Sequence, residues 1–127
     1  VATVVAYLAE GVAGLPVFAL GRSGLPVVLG PTGGFLIGFI PAAFIAGFAG
    51  GSRRAALRLG ILLIATLVVY ACGVPWLAVT RAMPIQAALI AGMLPFVPGD
   101  VIKAGLAAGV TLPGSRLLAA LPGFRPR

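Results

Sequence analysis

In this chain of 127 residues, 61% are hydrophobic, only 9% are charged, and the mean hydropathy is +1.18. Nine basic and two acidic side chains cannot cover so much apolar surface in water, which excludes an ordinary soluble domain. The net charge of +7 is carried between apolar stretches rather than beside aromatics on one face, so it points to anionic lipid headgroups and away from nucleic acid.

Residues 1–19, 33–50, 59–79 and 85–110 each approach the length needed to cross a hydrocarbon core. They predict an all-α membrane protein, a polytopic helical bundle forming one integral membrane domain over residues 1–127. The first span starts without Met and without a polar flank, which predicts further chain before Val1. It carries Glu10, whose helical neighbours Ala6, Tyr7, Ala13 and Gly14 offer one hydroxyl and no cation.

In "GLPVVLGPTGGF" the Gly and Pro residues end one helix and begin another, with Pro31 and Thr32 suited to the first positions of the new one. Down the second span, Gly34, Gly38, Ala42, Ala46 and Gly50 recur every four residues, and Gly105 and Gly109 repeat the spacing in the last. Such stripes let helix backbones approach closely, for packing or for docking a partner. Gly and Ala are common in membrane helices, so one pair says little, but five in register say more.

The loop "GGSRRAALR" brings Arg53, Arg54 and Arg58, and the tail brings Arg116, Arg125 and Arg127. The other two loops bring only Arg22 and Arg81. Positive charge concentrates on cytoplasmic loops, so the second loop and the C-terminal tail are expected in the cytoplasm. The third span holds Trp76 and the single cysteine, Cys72, which excludes an intramolecular disulfide. With no His, no second Cys, no phosphate-binding loop and no Ser/His/Asp set, the sequence offers neither a metal site nor an enzyme's machinery, an ATPase's included.

The last span is interrupted by "MLPFVPGDVIK", where two Pro residues and Gly99 precede Asp100 and Lys103, the only Asp and the only Lys. Irregular backbone at membrane depth is tolerated where it is buried in protein or lines a cavity. Asp100 is suited to the N-cap or first turn of the resuming helix, and Lys103, three residues on, shares its face. The pair is either a ligand site, with Asp100 accepting and Lys103 donating, or an internal ion pair that only neutralises itself.

"YLAEGVAGLPVFALG", "GPTGGFLIGFIPAAFIAG", "YACGVPWLA" and "AGMLPFVPGDVIKAGLAA" together resemble the BioY family, the biotin-specific S components of energy-coupling factor (ECF) transporters. The resemblance covers nearly the whole chain in order. It implies a six-helix S-component fold of which these four spans resemble the last four, so two helices are expected before Val1. It also implies high-affinity biotin binding near the outer face of a bacterial cytoplasmic membrane. The implied partners are a transmembrane coupling protein and two cytosolic ATPases, and biotin is the transported ligand rather than a cofactor.

For that ligand the resemblance points to Asp100 and Lys103 as the polar pair and to Thr32 with the Gly33 and Gly34 backbone as further donors. Tyr7, Phe35 and Trp76 are candidate walls, although aromatics on membrane helices are as often core or interfacial belt. Gly38, Ala42 and Ala46 are the candidates for helix packing or docking of the coupling protein. Two other readings stay open: an S component for another vitamin, and a structural subunit of a membrane complex. Glu10 departs from the apolar residue usual at its place in the family.

Overall fold

The computed structural model describes residues 1–119, with side chains described to residue 109, and it is all-helical. Helix α1 (Ala2–Val12) is followed by a loop over residues 13–24 with a single 3-10 turn. Then come the short α2 (Leu25–Leu29), α3 (Gly33–Gly47), a 3-10 turn at Phe48–Gly51, and the long α4 (Ala55–Thr80). Helices α5 (Ile85–Gly92) and α6 (Val97–Ala119) complete the order. The tail arginines Arg125 and Arg127 and the side chain of Arg116 lie outside the described residues.

Helix α1 stops because Gly14 adopts φ +108°, a backbone conformation that disfavours any side chain. The loop beyond then folds back: the Gly24 amide donates to the Gly11 carbonyl at 2.6 Å, and the Phe18 amide donates to the Arg22 carbonyl at 3.1 Å. Phe18 is buried directly over Gly11, where a Cβ would have no room.

Helices α3 and α4 form an antiparallel hairpin that is the most extensively packed pair in the fold. The stretch Gly33–Gly51 and helix α4 are each long and apolar enough to cross a membrane, whereas α1 is shorter. Pro41 and Pro75 lie inside these helices without ending them, as membrane helices tolerate when neighbours satisfy the freed carbonyls. Helices α5 and α6 bend by 50° across the break at residues 93–96 and make one further span if counted together. Pro95 lies in that break and Pro98 in the first turn of α6, and neither has an amide proton for a continuous helix.

The core is a cluster of Tyr70, Val74 and Ala88, joined by Phe35, Leu77 and Met93. Large apolar side chains such as Phe44, Leu106 and Ile102 are more than 60% exposed, an arrangement that suits hydrocarbon and not water. Arg53 and Arg54 immediately precede α4 and Arg81 follows it, so its 26 residues hold them about 39 Å apart.

Candidate functional site

The residues singled out in the sequence form two groups. At the start of α3, Thr32 occupies the N-cap position but its side chain makes no capping hydrogen bond, and it is exposed. Gly33 and Gly34 are buried, and the Gly33 amide is already donated to the Gly30 carbonyl at 3.0 Å. A Cβ on Gly33 would run into the Val28 carbonyl, and one on Gly34 would lie 2.7 Å from the Cys72 carbonyl oxygen. Trp76 explains part of this crowding: its indole Nε1–H donates to the Gly30 carbonyl at 2.8 Å, tying α4 to the loop that leads into α3.

Phe35 turns inward to the Tyr70–Val74 cluster and lies over Gly73 and Gly92. Tyr7 packs edge-on against Phe18, with ring centroids 5.6 Å apart. These aromatics therefore have structural neighbours of their own.

The second group sits where α6 begins. Asp100 is in the first turn of α6, and its Oδ1 is 3.3 Å from Lys103 Nζ. Its other oxygen, Oδ2, accepts a hydrogen bond from the hydroxyl of Tyr70. Tyr70 is buried, the Asp100 side chain is 25% exposed, and that of Lys103 is 79% exposed, so the pair is held from the core and opens outward. It opens onto a groove of about 380 Å³ between α3, α4 and α6, with Phe39 and Ala42 on one wall and Leu62, Thr66 and Val69 on another. None of Tyr7, Thr32, Gly33, Gly34, Phe35 and Trp76 lines this groove. The link between the groups is the core itself, because Phe35 packs against the cluster containing the tyrosine that holds Asp100.

Tyr70 was not among the sequence candidates. It lies thirty residues from Asp100, beyond any helical spacing rule, and its visible signals were a hydroxyl in a largely apolar span and its place at the head of the stretch "YACGVPWLA".

Chemically, the groove offers an anionic acceptor with lone pairs to spare, an ammonium with further donors, and apolar walls. The groove is open along its length, and its charged groups converge at one edge. The fold and site thus define a helical membrane protein with a charged pair at the edge of an open, largely apolar groove.

Comparison with known proteins narrows this class. The BioY family model matches residues 1–120. The chain is 42% identical to the probable biotin transporter BioY of Pyrococcus horikoshii over 76% of this chain and 56% of that protein. It is 40% identical to the biotin transporter BioY of Rhodobacter capsulatus over 71% of this chain and 54% of that one. The crystal structure of the S-component for biotin from an ECF-type ABC transporter superposes with a TM-score of 0.80 at 32% identity, over 97% of this chain and 66% of that chain. This chain belongs to the BioY family. It spans just over half the length of these curated relatives.

Helix packing can be placed as well. Gly38 faces α4, with Cys72 Cβ 3.0 Å and Val69 Cα 3.2 Å from where its own Cβ would be, and Ala42 is buried one turn on. Ala42 and Ala46 both line the groove, and Gly50 has open space around it. Gly105 and Gly109 make no close contact: nothing among the described residues lies within 4 Å of a Cβ at either, so of the two uses expected of a small-residue face, packing and partner docking, the packing within this chain is not seen there. Among the described side chains of α6 the buried ones are Ala104 and Ala108, one position earlier and about 100° around the helix.

Proposed function

We propose that this protein binds biotin and serves as the substrate-specific S component of an ECF-type transporter. The observation that carries the reading is the Tyr70-held Asp100–Lys103 pair opening onto an apolar groove in a chain of the BioY family. Biotin carries two ureido N–H donors, a ureido carbonyl, an apolar bicycle and a carboxylate-tipped chain. Asp100 accepts from the ureido nitrogens, Lys103 donates to an oxygen of the ligand, and the groove walls cover the bicycle. Tyr70 positions Asp100 without being spent on the ligand.

Uptake by such a subunit draws its energy from a transmembrane coupling protein and two cytosolic ATPases. The protein resides in the cytoplasmic membrane, with the Arg53–Arg54 loop and the C-terminal tail on the cytoplasmic side. Support for that orientation comes from the antiparallel α3–α4 hairpin, which sets Arg81 at the opposite end of α4 from Arg53 and Arg54. Binding of labelled biotin to the purified protein, with other vitamins as competitors, tests the reading: biotin alone should compete. Saturable binding of a different vitamin, or of none, would replace it with one of the other two readings.

A further inference from the structure

Biotin can offer Asp100 either of its ureido N–H groups but not both at once. In a cyclic urea the two N–H bonds diverge on either side of the carbonyl, so a single carboxylate reaches one of them and a neighbouring cation reaches the carbonyl beside it. The Asp100–Lys103 pair, with its oxygen and nitrogen 3.3 Å apart, matches one such edge of the ring. The second N–H is then left without an acceptor, and a buried donor left unpaired costs more than its hydrogen bond contributes. A site that takes the ring through Asp100 therefore calls for a second acceptor nearby.

The groove holds one. Thr66 lies four residues before Tyr70 on α4, on the same face as the tyrosine that holds Asp100, and it lines the groove together with Asp100 and Lys103. Every other described side chain that lines the groove is apolar. The Thr66 hydroxyl donates its proton to the Leu62 carbonyl at 3.0 Å, so its oxygen keeps lone pairs and has no proton left to give. Toward a ligand it is an acceptor. Such a bond to the carbonyl four residues back is ordinary for a threonine on a membrane helix, and Thr80 makes one to Trp76 at 2.8 Å. Thr80, however, does not line the groove, whereas Thr66 sits on its wall one turn from the anchor of the carboxylate.

We propose that Thr66 is a specificity-determining residue of the site: while Asp100 accepts from one ureido N–H, the Thr66 hydroxyl oxygen accepts from the other. The inference rests on the biotin reading and refines it, because it makes the two ring nitrogens unequal. One faces a carboxylate and the other a neutral hydroxyl.

Isothermal titration of biotin, and of the two biotin derivatives methylated on one or the other ureido nitrogen, tests the assignment on purified wild-type, Thr66→Val and Thr66→Ser protein, each first shown to be folded by gel filtration. Thr66→Val keeps the shape and removes the hydroxyl, and it should weaken biotin binding by about tenfold, the upper scale of one neutral hydrogen bond. Thr66→Ser keeps the hydroxyl and should stay within about threefold of wild type. Both methylated ligands should bind the wild type more weakly than biotin does. In Thr66→Val one of them should lose most of that deficit, because the N–H it lacks no longer has a partner, whereas a purely structural role would weaken every ligand alike. Should Thr66→Val fail to fold, Thr66→Ala supplies the same comparison. Biotin affinity within about twofold of wild type in the variant without the hydroxyl, or an unchanged deficit for both methylated ligands, would overturn the assignment and leave the biotin reading standing. No saturable binding of biotin to the wild type would remove the biotin reading and the assignment with it.

Discussion

The seam between α3 and α4 and the outward face of α6 are both lined with small residues at four-residue spacing, and they behave oppositely. At the seam, Gly34 and Gly38 are pressed against Val69, Cys72 and Trp76, so that a methyl group has nowhere to go. On α6, Gly105 and Gly109 face open space while Ala104 and Ala108 take the packed side. The same pattern therefore marks a close contact in one place and, in the other, a face with no close neighbour among the described residues. The groove runs along α3 and α4 to α6, where Asp100 and Lys103 line it.

The largest effect should come from forcing the seam apart. Gly38→Leu places a branched side chain where Val69 Cα already lies 3.2 Å from the position of a Cβ, and Gly34→Leu meets the Cys72 backbone. Overpacking costs about 1–3 kcal/mol where side chains can yield, and more where backbone must move, so folded protein should be largely lost on gel filtration. Normal folding of both variants would show that the seam is looser than described. Lys103→Met, which keeps an unbranched stem and removes the cation, should instead leave folding intact and weaken biotin binding by about tenfold, the scale of one charge-assisted hydrogen bond.

A smaller effect separates the two roles of the aromatics. Trp76→Phe removes the indole donor to Gly30 while keeping the ring, and should lower stability by about 1 kcal/mol in a thermal melt without altering the groove. If biotin affinity fell sharply while the melting temperature held, Trp76 would be a ligand wall and not a tie between α4 and the loop. The smallest effect is expected on α6: Gly105→Ala meets nothing within 4 Å and should change stability by no more than about 1 kcal/mol, toward greater stability from helix propensity alone. A marked loss of uptake with unchanged folding in that variant would identify the open face as a docking surface.

What was legible in the sequence follows the range of the interactions. Composition and span length were enough for an all-helical membrane bundle, because the bilayer demands both. The Asp100–Lys103 pair was visible because its geometry is local, three residues on one helix. Tyr70 was not, since the bend between α5 and α6 and the packing of α6 on α4 bring it to Asp100 from thirty residues away. Spacing also showed that Gly105 and Gly109 share a face of α6 without showing which way that face turns; Ala104 and Ala108 are spaced identically and won the packed side. Phe35 and Trp76 look alike in sequence, as aromatics on apolar spans, and only the fold shows one entering the core and the other donating its N–H to Gly30. Glu10 remains exposed near the end of α1, and nothing in the structure explains it.

The central claim is that Asp100, held by Tyr70 and paired with Lys103, is a ligand-binding carboxylate and not only an internal counter-ion. Isothermal titration of biotin into purified wild-type and Asp100→Asn protein, each first shown to be folded by gel filtration, tests it most directly. The substitution keeps the shape and removes the charge, so affinity should fall by tenfold to a few hundredfold, the scale of one or two hydrogen bonds to a charged group at roughly 1.5–3 kcal/mol each. Near wild-type affinity in a well-folded Asp100→Asn protein would contradict the claim and leave the pair as a structural ion pair at the start of α6.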